Sequence, residues 1–185
     1  MKKISYDQIK SYLNYEPAKI GININYKEDI YSFIGKFRSK VKEEDDILHI
    51  FCRDEFLSDK ELRLFALSNA KKAREFIDDD DELDKFDLIL EVLEEYAYEN
   101  STNEELTRIK NLAKVAASIS KNSAAWWVAI YSAAADSRTA AICSANKLAE
   151  WIPIQEDEDN GIQYDFDCDY VPNYYEIINR LIDFL

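Results

Sequence analysis

Residues 123–151 read SAAWWVAIYSAAADSRTAAICSANKLAEW, and this stretch decides the fold. Alanine, the strongest helix former, recurs through it without glycine or proline. The spacing predicts one long helix from Ser123 to Trp151, or two with a joint near Asp136. Alanine falls on every side of such a helix, so neighbouring helices can approach closely all round. Small residues on several faces would waste burial at a surface, which places the segment at the centre of a bundle. Trp126 and Trp127 diverge by about 100° on a helix. Trp127, in line with Ile130 and Ala134, is expected to pack inward; the direction of Trp126 is left open by the pattern. Pro153 is expected to stop the helix.

Working upstream, Ser58 with Glu61 and Thr102 with Glu105 have the spacing of capping boxes, in which a hydroxyl and a carboxylate satisfy each other's backbone donors. Leu62, Ala66, Ala70, Ala73 and Ile77 keep one face of a helix after the first box. Leu106, Ile109, Ala113, Ala116 and Ile119 do so after the second. Asp78 to Asp81 break the chain between these helices and then favour the positive end of the next helix dipole. Leu83, Phe86, Leu90, Leu93 and Ala97 recur there at spacings of three and four.

The ends are less regular. Ser5 with Gln8 opens a short helix carrying Ile9 and Leu13, with Pro17 as its limit. Residues 19–26 alternate Ile with Gly or Asn and suggest a short strand. Ile30, Phe33 or Ile34, Phe37 and Val41 share a helical face in 28–41. In the tail, Tyr164, Phe166, Cys168 and Tyr170 alternate with Asp165, Asp167 and Asp169, a period-two pattern of an extended segment. Tyr175, Ile178, Leu181 and Ile182 suggest a closing helix.

With 185 residues, one domain is the natural expectation. Three Gly and three Pro disfavour a turn-rich sandwich or barrel. The fold class is therefore mainly α, a single-domain helical bundle around a long Ala-rich central helix, with little β-structure near the termini. A basic segment 1–42, a helical core 47–152 and an acidic segment 153–185 divide it. No Lys or Arg occurs between Lys147 and Arg180, while nine carboxylates do; the first 42 residues carry nine Lys or Arg against four acids. The net charge of −14 opposes nucleic acid, whose binding needs clustered cations, and suits a basic protein partner. The longest charge-free apolar run, Asn122 to Ala135, is too short to span a bilayer. No apolar run follows the first lysines, so a cytoplasmic location is the expectation.

Few residues suggest chemistry. Counted as a calcium loop, Asp165, Asp167 and Asp169 fall at positions one, three and five, Asn173 at nine and Glu176 at twelve, but Tyr170 stands where the turn requires Gly. A solvated acidic face is the simpler reading, with a calcium-responsive domain as the alternative. His49, the single histidine, has no second base or nucleophile motif beside it and reads as structural. Cys52, Cys143 and Cys168 share no metal-ligand spacing, and Cys143 reads as a small core residue. A hydrolase with a dispersed carboxylate site is a further alternative, though no pair of acids is singled out. No cofactor, metal or catalytic residue is expected.

Three features together carry a family resemblance over residues 47–151. They are Leu64-Phe65-Ala66-Leu67-Ser68-Asn69-Ala70-Lys71-Lys72-Ala73, the acidic break at Asp78 to Asp81 before a helix ending near Tyr96, and the Ala-rich run from Ala124 through Asp136-Ser137-Arg138-Thr139-Ala140-Ala141 to Ala149. This arrangement resembles the bacterial immunity protein five-like family of polymorphic toxin systems. The resemblance implies an all-helical, acidic, cytoplasmic protein that neutralises a cognate toxin and has no catalytic residues. On the charge pattern, the toxin is a basic domain such as a nuclease. Asp165, Asp167 and Asp169 are expected to supply the field, and Tyr164, Tyr170, Tyr174 and Tyr175 the anchors.

Overall fold

The computed structural model describes residues 2–13, 15–37, 46–159 (backbone only over 152–159) and 174–185. Among them are a two-stranded antiparallel sheet and nine α-helices. Strand β1 (Lys3–Ser5) pairs with β2 (Lys27–Asp29), Ile4 lying opposite Glu28. The helices are α1 (Tyr6–Tyr12), α2 (Ile30–Phe37), α3 (Asp46–Phe51), α4 (Asp59–Arg74) and α5 (Asp80–Ala97), then α6 (Asn103–Ile119), α7 (Ser123–Ser132), α8 (Ser137–Asp159) and α9 (Tyr174–Ile182). The molecule is thus mainly helical, and its small sheet lies near the N-terminus. One hydrophobic cluster runs from Ile4 through Phe33, Phe65, Phe86, Trp126 and Leu148 to Leu181.

All three capping boxes form. Ser5, Ser58 and Thr102 each accept a hydrogen bond from the backbone of Gln8, Glu61 and Glu105, whose side chains reach back to the cap. Asp79 caps α5 by accepting from the Glu82 N–H at 3.0 Å, so the acidic run both separates α4 from α5 and starts the latter. At the other end of α5, Glu99 takes a positive φ of 62°. Its N–H donates to the Tyr96 carbonyl, and the Asn100 N–H to that of Glu95 at 2.8 Å. That pair of bonds is a Schellman ending, in which glycine ordinarily holds the position of Glu99. Glycine adopts this backbone without the Cβ crowding that costs other residues roughly 1–2 kcal/mol. Glu99→Gly is therefore expected to raise the midpoint of thermal unfolding, by about 2–4 °C for each kcal/mol recovered, read by circular dichroism.

Three expectations need correction. Residues 19–26 do not form a strand. Pro17, which fixes its own φ, starts a 3-10 turn over Pro17–Ile20 that ends on Gly21 at φ 84°. Ile20 and Ile22 are buried but Ile24 is 74% exposed, so the alternation covers only two of its three apolar positions. Of the two forms that the sequence left open for the Ala-rich segment, the structure has the two-helix one, with Ala133 to Asp136 between α7 and α8. Pro153 does not end α8, which continues to Asp159; a proline inside a helix forfeits one backbone hydrogen bond, which the remaining bonds of a long helix can offset. Ile119 does not join the buried face of α6 but is 80% exposed, because it occupies the helix's last position. Val41 lies outside the described residues.

α4, α7 and α8 pack on one another, with α6 against α7 and α5 against α4. Ala66, Ala134 and Ala140 form a buried contact of small side chains where α4 meets the α7–α8 joint. Two polar side chains bond between helices inside this core: Asn69 Nδ2 donates to Ser144 Oγ at 3.1 Å, and the buried Ser132 hydroxyl lies 3.0 Å from the Ala66 carbonyl. The joint is held from both sides. Asp136 Oδ1 accepts from the Thr139 N–H at 2.6 Å, capping α8. Arg63, on α4, donates to the carbonyls of Ala134 and Ala135 at 3.3 and 2.6 Å and pairs with Asp59 at 3.0 Å. Its guanidinium lies 4.5 Å from the centre of the Tyr96 ring.

Candidate functional site

α7 is so apolar that its buried and exposed faces are hard to tell apart by pattern alone. Trp126 is fully buried, and Ala129, Ile130 and Ala133 continue inward at spacings of three and four. The Trp126 ring packs on Phe86 with centroids 4.9 Å apart. Its Nε1–H donates to Glu82 Oε2 at 3.2 Å, an oxygen that also accepts from the Ser120 hydroxyl at 2.6 Å. Trp127 is the outward one, 41% exposed, with Tyr131 a turn further on and the two rings 5.9 Å apart. The inward packing expected of Trp127 is thus corrected. Val128 as well as Ile130 demand burial, and the arc that contains both leaves Trp127 and Tyr131 outside.

Beside this aromatic pair lies a cleft of about 220 Å³ lined by Tyr131, Cys143, Asn146, Lys147 and Glu150. The four α8 residues stand at offsets of zero, three, four and seven from Cys143, a single stripe of that helix. Lys147 Nζ and Glu150 Oε2 form an ion pair at 3.0 Å. Asn146 Oδ1 accepts from the Tyr174 hydroxyl at 3.3 Å, which brings α9 to the edge of the cleft. α9 is seated by Ile177, Ile178 and Leu181, all buried. Phe184 beyond it meets Phe65 edge-on at 5.8 Å.

Of the residues expected to bind a partner, Tyr174 and Tyr175 are placed. Tyr174 is half-buried against α8, and Tyr175 is 61% exposed. Tyr164, Asp165, Asp167, Asp169 and Tyr170 lie outside the described residues, as do Cys168 and Asn173. The two tail carboxylates with described side chains are both paired with the chain's own cations, Glu150 with Lys147 and Glu176 with Lys72 at 3.6 Å and Arg180 at 3.5 Å. Burial holds the Arg180 pKa below its ordinary value, opposed by the Glu176 and Glu75 charges. Among the described residues no group of three His, Cys, Asp or Glu is placed to hold a metal ion.

A second source of negative charge went unread in the sequence. Residues 78–99 contain eleven carboxylates against Lys85 alone. Within this run Asp79 and Glu82 are used as a cap and a tryptophan partner. Asp87 pairs with Arg74, which holds its pKa below the carboxylate norm, and Glu94 pairs with Lys71 at 3.0 Å. Asp80, Asp81, Asp84, Glu91 and Glu95 stand exposed along α5. A count of charge by segment finds this run; attention to its first four residues as a helix boundary hid it.

His49 is half-buried on α3, and its carbonyl accepts from Arg53 Nε at 2.8 Å and Arg138 Nη2 at 3.5 Å. Two guanidinium groups at a helix C-terminus suit the negative end of its dipole. The two placed thiols differ. Burial pushes the Cys52 thiol up to about 12, whereas Cys143 is half-buried in the cleft wall and is not the core residue expected. In a Cys168→Ser background, one equivalent of thiol reagent is expected to react with the folded protein, and Cys143→Ser is expected to abolish that reaction. Rapid labelling of Cys52 in the folded state would contradict the burial.

No helix among the described residues is long and apolar enough to cross a membrane. No protein-family model, curated protein or solved structure matches the chain.

Proposed function

We propose that this protein is a toxin-neutralising immunity protein, which binds a basic cytotoxic domain such as a nuclease and occludes it. The observation that carries the reading is an aromatic pair at the surface, the exposed Trp127 stacked beside the half-buried Tyr131, on a molecule of net charge −14. Tryptophan and tyrosine are the side chains most enriched where protein interfaces gain their energy. A carboxylate-rich surface accelerates encounter with a cationic target and disfavours nucleic acid. The exposed acids of α5 supply such a surface from a well-anchored helix. The resemblance of residues 47–151 to the immunity protein five-like family points the same way.

Occlusion needs no chemistry from the neutraliser. The partner's active site is blocked by a surface that matches its charge, and selectivity comes from the aromatic side chains that must be desolvated. The test is co-expression with each of the proteins encoded beside this gene, assayed for toxicity alone and together with this protein. Rescue of growth, and a complex on gel filtration whose affinity falls as salt rises, is the expected result. If the adjacent products are neither toxic nor bound, the reading is wrong.

A further inference from the structure

We infer that the α7–α8 cleft is a receptor for one arginine side chain of the basic partner, a reading that rests on the proposed function and specifies its contact chemistry. The volume of about 220 Å³ falls below the 300–1,000 Å³ usual for small-molecule and cofactor pockets, but a single long side chain fits it. Its wall is aromatic: Tyr131 lines it, and the exposed Trp127 ring stands beside Tyr131. Glu150 and Asn146 also line it, and the Asn146 amide oxygen, which accepts one bond from Tyr174, has a second lone pair to offer. An aromatic face, a carboxylate and a carbonyl-type acceptor together form a cation site. Arginine suits this combination better than lysine, because its planar guanidinium is weakly hydrated, stacks on rings and donates two bonds to one carboxylate.

The chain supplies a stand-in for that cation. Lys147 reaches Glu150 at 3.0 Å from three residues away on the same helix. Both side chains are partly exposed, 32% and 50%, so the pair is held weakly and is exchangeable. An incoming guanidinium takes the carboxylate and releases the Lys147 ammonium to water. The displaced ammonium stays tethered nearby and opposes the guest, so the gain comes from stacking and bidentate geometry that an ammonium lacks.

The test uses the intact protein and N-acetyl-arginine methylamide, with the lysine methylamide as control, followed by the indole N–H resonances. Trp127→Phe identifies the Trp127 signal. Arginine amide is expected to shift that signal saturably and to slow thiol labelling of Cys143, with the lysine amide weaker. Glu150→Gln should weaken arginine binding about fivefold, the upper range for an exposed ion pair. Lys147→Met should strengthen it, an effect that a purely structural lysine would not produce. An unmoved Trp127 signal, or equal binding by wild type and Glu150→Gln, overturns the inference. A toxin bound tightly but indifferently to Trp127→Ala and Glu150→Gln would overturn the receptor and leave the immunity reading intact. Capture of the arginine amide without any toxin partner would do the reverse.

Discussion

Replacing Trp126 by alanine is expected to destabilise the fold by roughly 3–5 kcal/mol, while Trp127→Ala is expected to leave stability within about 1 kcal/mol of wild type. The two residues are neighbours, of one kind, on one helix. Only their direction differs. Trp126 fills the space between α5 and α7 against Phe86 and satisfies its indole N–H on Glu82. Removing it opens a cavity that surrounding side chains cannot close, and strips one donor from a partly buried carboxylate. Thermal unfolding followed at 222 nm should show a midpoint lower by roughly 6–20 °C, at about 2–4 °C per kcal/mol for a chain of this length. Trp126→Phe separates the contributions, since it keeps most of the packing and loses only the hydrogen bond, about 1 kcal/mol. Equal losses at Trp126 and Trp127 would mean that both rings are buried and that the aromatic surface is not there.

Ala140→Leu is the second large effect. Ala140 is fully buried against Ala66 and Ala134, at the place where α4 crosses the α7–α8 joint. A helix interface built on alanine has no slack for a branched side chain. Overpacking of this kind costs typically 1–3 kcal/mol, occasionally more, and the present site is at the high end because three helical segments meet there. The helices must separate, which also strains the Arg63 bonds to Ala134 and Ala135. Urea unfolding should give a lower midpoint with an unchanged slope. The same change at the exposed Ala135 serves as the control and should be close to neutral. If Ala140→Leu is tolerated as well as Ala135→Leu, the small-residue contact is not tight.

Alanine spacing made the architecture legible. The runs Leu62–Ile77 and Leu83–Ala97, together with the capping boxes at Ser58 and Thr102, located the helices because each signal is local: a hydroxyl, a carboxylate and an apolar stripe within a few residues. Where the outcome depended on distant partners, the pattern fell short. Trp126 and Trp127 cannot be ranked from α7 alone, since Phe86 and Glu82, some forty residues upstream, decide which one is covered. Ile20, Ile22 and Ile24 alternate like a strand, but Pro17 and Gly21 impose a turn before any partner strand is reached. β2 begins later, at Lys27, where Lys3–Ser5 is available to pair. The cleft was illegible for the same reason. Tyr131, Cys143, Asn146, Lys147 and Glu150 share no sequence motif, and two helices must be laid side by side before they enclose anything. Only Tyr174 and Tyr175 among the anchors chosen from the sequence fall within the described residues, and of these Tyr174 borders that cleft.

The break between α7 and α8 is redundantly specified. Asp136 starts α8 from beside the joint, while Arg63 grips the same turn from 71 and 72 positions away in the chain. Drift at either position alone would be absorbed by the other. Only their joint loss would let Ala133, Ala134 and Ala135 run on as a straight rod, swinging Tyr131 away from Cys143 and erasing the recess between them.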